Sequence, residues 1–404
     1  MTSFDTPPLN LWRALLALAV VFVMLATTGW TALRSHREPT ALQTSLAQWE
    51  HGSVHGLRLP DPDAAPARLA RFFASLAPRE RERLARRYPL AVGNMNGAPV
   101  LLRYRANRLA LEQAREVERR RVRDGRLSTA GQLDAGRRLH RYEALTRPGR
   151  HVLAFDPEGS GRIAEVFGNL TAAVRISVVV PGVDTDLLTF QRTSRRYSAP
   201  AGMAEALYAA ERARRPSTRT AVIAWADYTA PDGLGVDAAT AMRAEEGAVR
   251  LNALLRALPG RAAVSMFCHS YGSVVCGVAA RGMPRRVADI AVAASPGMRV
   301  PAASWLGTPA RVWAMRDATD WVRDVPYLEV GGLGHGADPV SPAFGARVLS
   351  ARDARGHSGY FQPGTDSLRN LADIGVGAYD AVTCGHQDDA CRAGLPGTAG
   401  AGRA

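Results

Sequence analysis

The sequence predicts an α/β domain whose mainly parallel sheet is covered by helices on both faces, and two observations support this prediction. From residue 149 onward, short apolar runs rich in Val, Ile and Ala alternate with stretches of helical pattern. This alternation is typical of parallel strands that are joined by crossover helices. The chain has 404 residues, of which 47% are hydrophobic, so it can form such a domain together with further segments.

An uncharged apolar stretch, residues 14–33, follows a short tail of residues 1–13. A helix of this length spans roughly 30 Å, the thickness of a bilayer core, and the stretch has no polar stripe. We therefore expect a single-pass anchor in the cell membrane. A cleaved signal peptide, and hence a secreted protein, is the alternative. The few flanking arginines leave the orientation in the membrane open.

Two segments separate this stretch from the predicted sheet. Residues 34–60 are polar and weakly patterned, which predicts a linker. Residues 61–148 carry apolar residues at three- and four-residue spacing, which predicts a helical segment that packs on the following domain.

Arginine dominates the charge of the chain. The formal net charge is +14, but every basic residue is arginine, so GC-rich coding accounts for much of it. Residues 107–138 are rich in arginine and glutamate, and we interpret them as a solvated helix with Glu–Arg pairs. Neither interleaved aromatics nor a known nucleic-acid module accompanies them, so we expect no specific nucleic-acid partner.

The predicted catalytic domain covers residues 149–380 and is followed by a C-terminal tail, residues 381–404. The predicted strands are residues 151–157, 162–169, 175–182, 220–226, 262–268, 287–295, 310–315 and 344–351. The predicted helices between and after them are residues 202–214, 238–258, 270–282 and 366–382.

The motif Cys268-His269-Ser270-Tyr271-Gly272 lies between a predicted strand and a predicted helix. It matches the nucleophile-elbow pattern, with Cys268 in place of the usual first glycine. Small residues are needed there because the strand and helix backbones nearly touch, and the helix amides point at the oxyanion position. We predict that Ser270 is a nucleophile, with a helix-capping serine as the alternative. We interpret His269 as a packing residue.

A serine nucleophile needs an orienting acid and a base, which follow it in that order in this architecture. The acid should follow the second strand after the elbow, where Asp320 fits best, ahead of Asp317 and Asp324. The base should follow the last strand, which favours His357 over His335, a residue that precedes that strand.

Two backbone amides should form the oxyanion hole. One belongs to Tyr271, directly after the nucleophile. The other should come from the turn after an earlier strand, Val180-Pro181-Gly182-Val183-Asp184, where we predict the amide of Val183. The alternative is a plain turn.

The four cysteines indicate a compartment. Cys384 and Cys391 lie close together in the polar tail, which favours a short-loop disulfide and an oxidising exterior. Their spacing matches no standard zinc pattern, so we predict neither a metal nor another cofactor. Cys268 and Cys276 are interpreted as small apolar filler.

A series of motifs, taken in order, resembles an actinobacterial family of α/β hydrolases long carried as a domain of unknown function. The similarity runs from about residue 60 to about residue 377. The motifs are GNMNG (93–97), YRANR (104–108), LAFDPEGSGR (153–162), VVVPGVDT (178–185), AWADYTAP (224–231), CHSYGSVV (268–275), HGADPV (335–340), FGARV (344–348) and GHSGYF (356–361).

The resemblance implies an α/β-hydrolase fold with Ser270, Asp320 and His357 as its triad, and it supplies no substrate. The resulting hypothesis is a membrane-anchored, esterase- or lipase-like serine hydrolase that acts on a small-molecule or lipid ester, with its catalytic domain outside the cytoplasm. An acyltransferase on the same fold and a catalytically silent envelope-binding protein are the alternatives. The oligomeric state stays open.

Overall fold

An eight-stranded sheet organises the protein in a computed structural model, which describes residues 39–385 and 389–395. Its strands are β1 (Val152–Asp156), β2 (Arg162–Gly168), β3 (Arg175–Val180), β4 (Thr220–Ala226), β5 (Ala263–His269), β6 (Val287–Ala293), β7 (Arg311–Met315) and β8 (Arg347–Val348). They lie in the order β1-β2-β4-β3-β5-β6-β7-β8. β2 runs antiparallel to β1 and β4, and the other neighbours are parallel. The predicted α/β fold with a mainly parallel sheet is confirmed.

Helices cover both faces of this sheet. In chain order they are α1 (Ala41–Glu50), α2 (Pro66–Ser75), α3 (Pro78–Arg87), α4 (Pro89–Asn94), α5 (Val100–Val122), α6 (Thr129–Leu145), α7 (Pro200–Arg214), α8 (Met242–Ala257), α9 (Gly272–Ala279) and α10 (Asp366–Val376). One core cluster joins the sheet to α7 and α10, and a second joins it to α8 and α9.

The central strand β3 shows why the strands of this sheet appear in the sequence as continuous apolar runs. Val178 and Val180 belong to the cluster on the side of α8 and α9, whereas Val179 belongs to the cluster on the side of α7 and α10. Successive side chains of a strand point to opposite faces, so a strand buried on both faces needs an apolar residue at each position.

The segment predicted as a linker contains α1 instead. Its Trp49 is fully buried and packs against Phe73 and Tyr88, in a third core cluster formed with α2 to α5. Residues 53–54 and 57–58 add a short hairpin. The buried face of α1 consists of Leu42, Ser45 and Trp49, so its apolar stripe is short and is interrupted by a polar residue, which leaves a weak pattern in the sequence.

Side chains of the helical segment pair with the edge strand β1. Asn94 donates to the carbonyl oxygen of Phe155 at 2.7 Å and accepts from its amide at 3.0 Å. Asn107 donates to the carbonyl oxygen of Val152 at 3.1 Å. An edge strand exposes unpaired backbone groups, so these two amides satisfy part of that edge and hold α4 and α5 against it.

The residues predicted as a tail pack along the opposite end of the sheet. The amide of Ser350 donates to the carbonyl oxygen of Thr383 at 2.9 Å, and that of Gly385 donates to Val348 at 3.0 Å. A disulfide joins Cys384 to Cys391, whose Cα atoms are 5.5 Å apart. Both cysteines are buried, so this part of the chain belongs to the domain.

Within residues 39–385 and 389–395, no helix combines the length and the apolar character needed to cross a bilayer. The predicted anchor, residues 14–33, and the tail before it lie outside the described residues.

The Asn94 contact generates a prediction about stability. Substituting Asn94→Ala leaves the amide and carbonyl of Phe155 without partners, so we expect the free energy of unfolding to fall by about 1–3 kcal/mol. Urea unfolding followed by circular dichroism measures the change. The exposed Gln113 on α5 is the control, because Gln113→Ala removes an amide that makes no contact with β1. Equal stability of the two variants would contradict the role given to Asn94.

Candidate active site

Ser270 sits in a strained turn between β5 and α9. Its φ angle is +55°, in the left-handed region that non-glycine residues seldom occupy. The turn is fixed from both sides, because the amide of Ser270 donates to Ala293 at the end of β6 at 3.0 Å. A Cβ atom on Gly272 would overlap the carbonyl oxygen of Val180. The glycine in the motif is therefore required by the close approach of α9 to β3.

Three side chains form a continuous hydrogen-bonded chain at the carboxyl end of the sheet. His357 Nε2 lies 2.8 Å from Ser270 Oγ, and His357 Nδ1 lies 2.9 Å from Asp320 Oδ1. A carboxylate only accepts, so Nδ1 carries the proton and Nε2 is free to accept from the hydroxyl of Ser270. The structure thus brings together the three residues that the order of strands predicts.

The carboxylate of Asp320 is fully buried and receives further hydrogen bonds. Tyr360 donates its hydroxyl at 2.6 Å, and the amide of Val322 donates at 3.0 Å. Burial opposes ionisation, but the hydrogen bonds from His357, Tyr360 and Val322 outweigh it, so the pKa of Asp320 lies below its ordinary value. Asp320 is therefore a carboxylate at neutral pH.

The other sequence candidates have different partners. Asp317 accepts from the amide of Gly356 at 3.1 Å and so shapes the loop before the histidine. His335 donates through Nε2 to the carbonyl oxygen of Ala238 at 2.7 Å. Asp324 is exposed. The geometry therefore selects Asp320 and His357 from the alternatives that the sequence left open.

His269 does more than pack. Its Nε2 donates to the carbonyl oxygen of His357 at 2.6 Å, so it holds the backbone of that residue. Burial and the neighbouring His357 lower the pKa of His269 to about 4, which keeps it neutral. Sequence reasoning missed this contact, as it missed the hydroxyl of Tyr360. The available signal was a histidine inside the elbow and a tyrosine inside the motif GHSGYF.

The turn that contains Val183 lies against the elbow that contains Tyr271. A Cβ atom on Gly182 would come within 2.9 Å of Ser270 Oγ and 3.1 Å of the Tyr271 nitrogen, so the turn before Val183 presses against the elbow. Within the described residues, neither the amide of Val183 nor that of Tyr271 donates to a protein acceptor. Both are free to bind a developing oxyanion.

A disulfide joins Cys268 to Cys276, which corrects their interpretation as apolar filler. Cys268 is the penultimate residue of β5, and Cys276 lies in α9, with their Cα atoms 6.5 Å apart. Because the elbow folds the helix back over the strand, residues separated by eight positions become neighbours. The bond closes the strand–turn–helix unit that carries Ser270.

A cavity of about 160 Å³ opens onto Ser270 and His357. Much of its wall is polar and comes from the loop between β3 and α7. The polar residues of that loop that line it are Asp184, Thr185, Thr189, Arg192, Arg195 and Ser198. The half-exposed indole of Trp321 is not among the residues that line the cavity. It packs against His357 with the two ring planes tilted by 37° and the centroids 4.7 Å apart.

Comparison with known proteins identifies relatives of the chain. A family model described as "Alpha/beta hydrolase" matches residues 156–330. The uncharacterized protein Rv2079 of Mycobacterium tuberculosis H37Rv is 27% identical over 383 residues, which cover 81% of this chain and 58% of that protein. The uncharacterized protein Rv0963c of the same strain is 31% identical over 229 residues, covering 54% of this chain and 84% of that protein. This chain spans 58% of the length of Rv2079.

Some solved structures resemble this chain, but more weakly than the sequence relatives do. The 2,6-dihydroxy-pseudo-oxynicotine hydrolase superposes with a TM-score of 0.39 at 13% identity, over 78% of this chain and 88% of that one. The α/β serine hydrolase XC6422 of Xanthomonas campestris gives a TM-score of 0.28 at 15% identity, over 44% of this chain and 75% of that one. Likenesses at this level add nothing to the geometry of the site.

The buried His269 predicts an acid-sensitive stability. Its pKa is lowered to about 4 in the folded protein, whereas the unfolded value is about 6.5, so acid protonates the unfolded chain first. The stability contributed by neutral His269 is complete above about pH 6.5, falls as the pH drops, and levels off near pH 4. Between pH 7 and pH 5 it accounts for a loss of about 2 kcal/mol.

We would measure urea unfolding at pH 7 and pH 5 in the wild type and in His269→Gln. The difference between the two proteins gives the stability that His269 loses in acid, because glutamine keeps a donor and does not titrate. The same substitution at the exposed His140 controls for the loss of a histidine as such. Parallel acid destabilisation of the wild type and His269→Gln is the result that rules the explanation out.

Proposed function

This chain belongs to an actinobacterial family of α/β hydrolases, and we propose that it is a serine hydrolase that cleaves esters. One observation carries the proposal, namely the chain of hydrogen bonds from Ser270 through His357 to the buried carboxylate of Asp320. It is supported by the two free amides of Val183 and Tyr271 beside the hydroxyl of Ser270.

In the acylation step, Ser270 Oγ attacks the carbonyl carbon of the ester while His357 Nε2 takes the hydroxyl proton. Asp320 stabilises the imidazolium that forms, because its buried carboxylate stays ionised. The amides of Val183 and Tyr271 donate to the oxyanion of the tetrahedral intermediate. When the intermediate collapses, the carbon–oxygen bond to the alcohol breaks, and His357 returns its proton to the leaving oxygen.

Deacylation repeats these steps with water as the nucleophile. His357 takes a proton from the water as its oxygen attacks the acyl carbon, and then protonates Ser270 Oγ as the acid product leaves. The neutral His269 supports both steps indirectly, because it fixes the backbone of His357 without adding a second positive charge beside the imidazolium.

The proposed location is the outer face of the cell membrane. The chain has four cysteines, and the structure pairs them as Cys268–Cys276 and Cys384–Cys391. Disulfides persist in oxidising compartments, which supports a catalytic domain outside the cytoplasm. The apolar residues 14–33 would then anchor it.

The nucleophile is tested by Ser270→Ala. We expect this variant to lose turnover of p-nitrophenyl butyrate by a factor on the order of 1000 or more, and to lose labelling by a fluorophosphonate probe, because no hydroxyl remains for His357 to activate. Circular dichroism checks that the fold survives. Ser304→Ala removes an exposed serine and is the matched control. Undiminished turnover in pure Ser270→Ala would overturn the proposal.

The same assay tests the base. His357→Ala should lose activity by several orders of magnitude, whereas His335→Ala should change it by less than about ten-fold, because His335 bonds to Ala238 instead. A reversed result would mean that the hydrogen-bonded chain does not carry the reaction.

The location is tested by cell fractionation. We expect the protein to sediment with membranes, to resist carbonate extraction, and to be digested when protease is added to intact protoplasts. Non-reducing peptide mapping should find both disulfides. Free thiols together with protection from protease would place the domain on the cytoplasmic side, and a soluble chain that begins after residue 33 would indicate a signal peptide.

A further inference from the structure

The cavity beside Ser270 has an uneven charge. Arg192 and Arg195 both line it, and Asp184 is the carboxylate among the residues that line the same cavity. Both arginines belong to the loop between β3 and α7, which also contains the turn of Val183. The loop that contains Val183 therefore also places two arginines in the wall of the cavity that opens onto the hydroxyl of Ser270.

Neither arginine has a counter-charge. Among the described residues, no ion pair or hydrogen bond involves the guanidinium group of Arg192 or of Arg195, and Arg195 is bonded only through its backbone carbonyl, which accepts from the Ser198 hydroxyl at 2.9 Å. Other arginines at this loop do have partners. Arg196 pairs with Glu205 at 2.7 Å, and Arg141 donates to the carbonyl oxygen of Leu188 at 2.7 Å.

Asp184 does not neutralise them. Its Oδ1 accepts from the amide of Gly233 at 2.7 Å, and its own amide donates to Pro231 at 2.9 Å. These bonds tie Asp184 to the loop after β4. It forms no ion pair with either arginine of the cavity, so the cavity keeps two uncompensated positive charges.

The N-terminus of α7 adds to the positive charge of the cavity wall. Pro200, the first residue of α7, lines the cavity, and no side chain caps that helix. The positive end of the α7 dipole therefore borders the same space. Arg192 is half-buried, and a charge that is partly removed from water gains more from a bound anion than a fully hydrated one does.

We propose that the substrate is an ester that carries an anionic group, a carboxylate or a phosphate, which Arg192 and Arg195 bind while Ser270 attacks the ester carbonyl. This inference rests on the proposed hydrolase function and names the substrate class of that same site. A neutral ester of equal size leaves both guanidinium groups without a partner, so the enzyme discriminates against it.

The test compares matched esters in two arms. In the first, the anion lies on the acyl side, and p-nitrophenyl hydrogen succinate is compared with p-nitrophenyl pentanoate. In the second, the anion lies on the alcohol side, and 1-butyrylglycerol 3-phosphate is compared with 1-butyrylglycerol. We expect kcat/KM of the wild type to favour the anionic member of at least one pair by about ten-fold or more.

Variants of the two arginines then assign the preference. The double variant Arg192→Gln/Arg195→Gln should lower the ratio of anionic to neutral kcat/KM about ten-fold, chiefly through KM, and each single variant should lower it less. Replacing both by lysine should retain most of the preference, because the positive charge remains. Arg285→Gln is the charge-matched control for each single variant, since Arg285 is exposed just before β6, at the amino ends of the parallel strands and away from the cavity.

The outcomes separate this inference from the proposed function. If the wild type neither reacts with the fluorophosphonate probe nor cleaves any of the four esters, both fail. Cleavage without an anionic preference in either arm overturns only the anionic substrate. The anionic substrate is also overturned if the preference persists in the double glutamine variant. It is overturned as well if Arg285→Gln reduces the preference as much as a single variant of Arg192 or Arg195 does, because that result would indicate long-range attraction by the net charge.

Discussion

The active site depends on a close backbone contact between β3, β5 and α9. Gly272 lies so near the carbonyl oxygen of Val180 that no side chain fits between them, and Gly182 lies equally near Ser270. This contact forces Ser270 into a positive φ angle and lifts its hydroxyl above the end of the sheet. The strain is offset by the buried core on both faces, which fixes the two strands independently of the turn. The disulfide from Cys268 to Cys276 adds a covalent bond across the same unit.

The remaining groups reach the hydroxyl because parallel strands end at one edge. Asp320 follows β7 and His357 follows β8, so two loops far apart in sequence converge on the elbow. Each loop is held by bonds that leave the reacting atoms free. Tyr360 and Val322 fix the carboxylate, and His269 fixes the backbone of His357. Asp320 is ionised and His269 is neutral, so these two neighbours of His357 carry a single negative charge between them.

These contacts explain what sequence alone could predict. All eight strands and the position of Ser270 were predictable, because burial in β1 to β7 and the close backbone approach at the elbow each leave a local pattern in the sequence. The pairing of Asn94 with Phe155 and the bond between His269 and His357 were not, since each joins residues that are distant in sequence. A contact between such distant residues leaves no periodic pattern in the sequence.

Helix α1 escaped prediction for a related reason. Its largest buried side chain, Trp49, packs against residues on α2 and after α3, and its buried Ser45 accepts from the amide of Ala91 at 3.1 Å. The sequence ranks Asp320 ahead of Asp317 without excluding Asp317, because both follow β7 within one short loop. Only the direction of each side chain assigns one to Gly356 and the other to His357.

The N-terminal helices also shape the site, although none of their side chains lines its cavity. Arg141 on α6 donates to the carbonyl oxygens of Leu188 and Gln191, at 2.7 Å and 2.6 Å. Arg150, which precedes β1, donates to the side chain of Gln191 at 3.0 Å. Both residues thereby hold the middle of the loop that carries Val183 at one end and Arg195 near the other. These three hydrogen bonds tie α6 and the residue before β1 to this loop, which contributes Val183, Arg192 and Arg195 to the wall of the cavity.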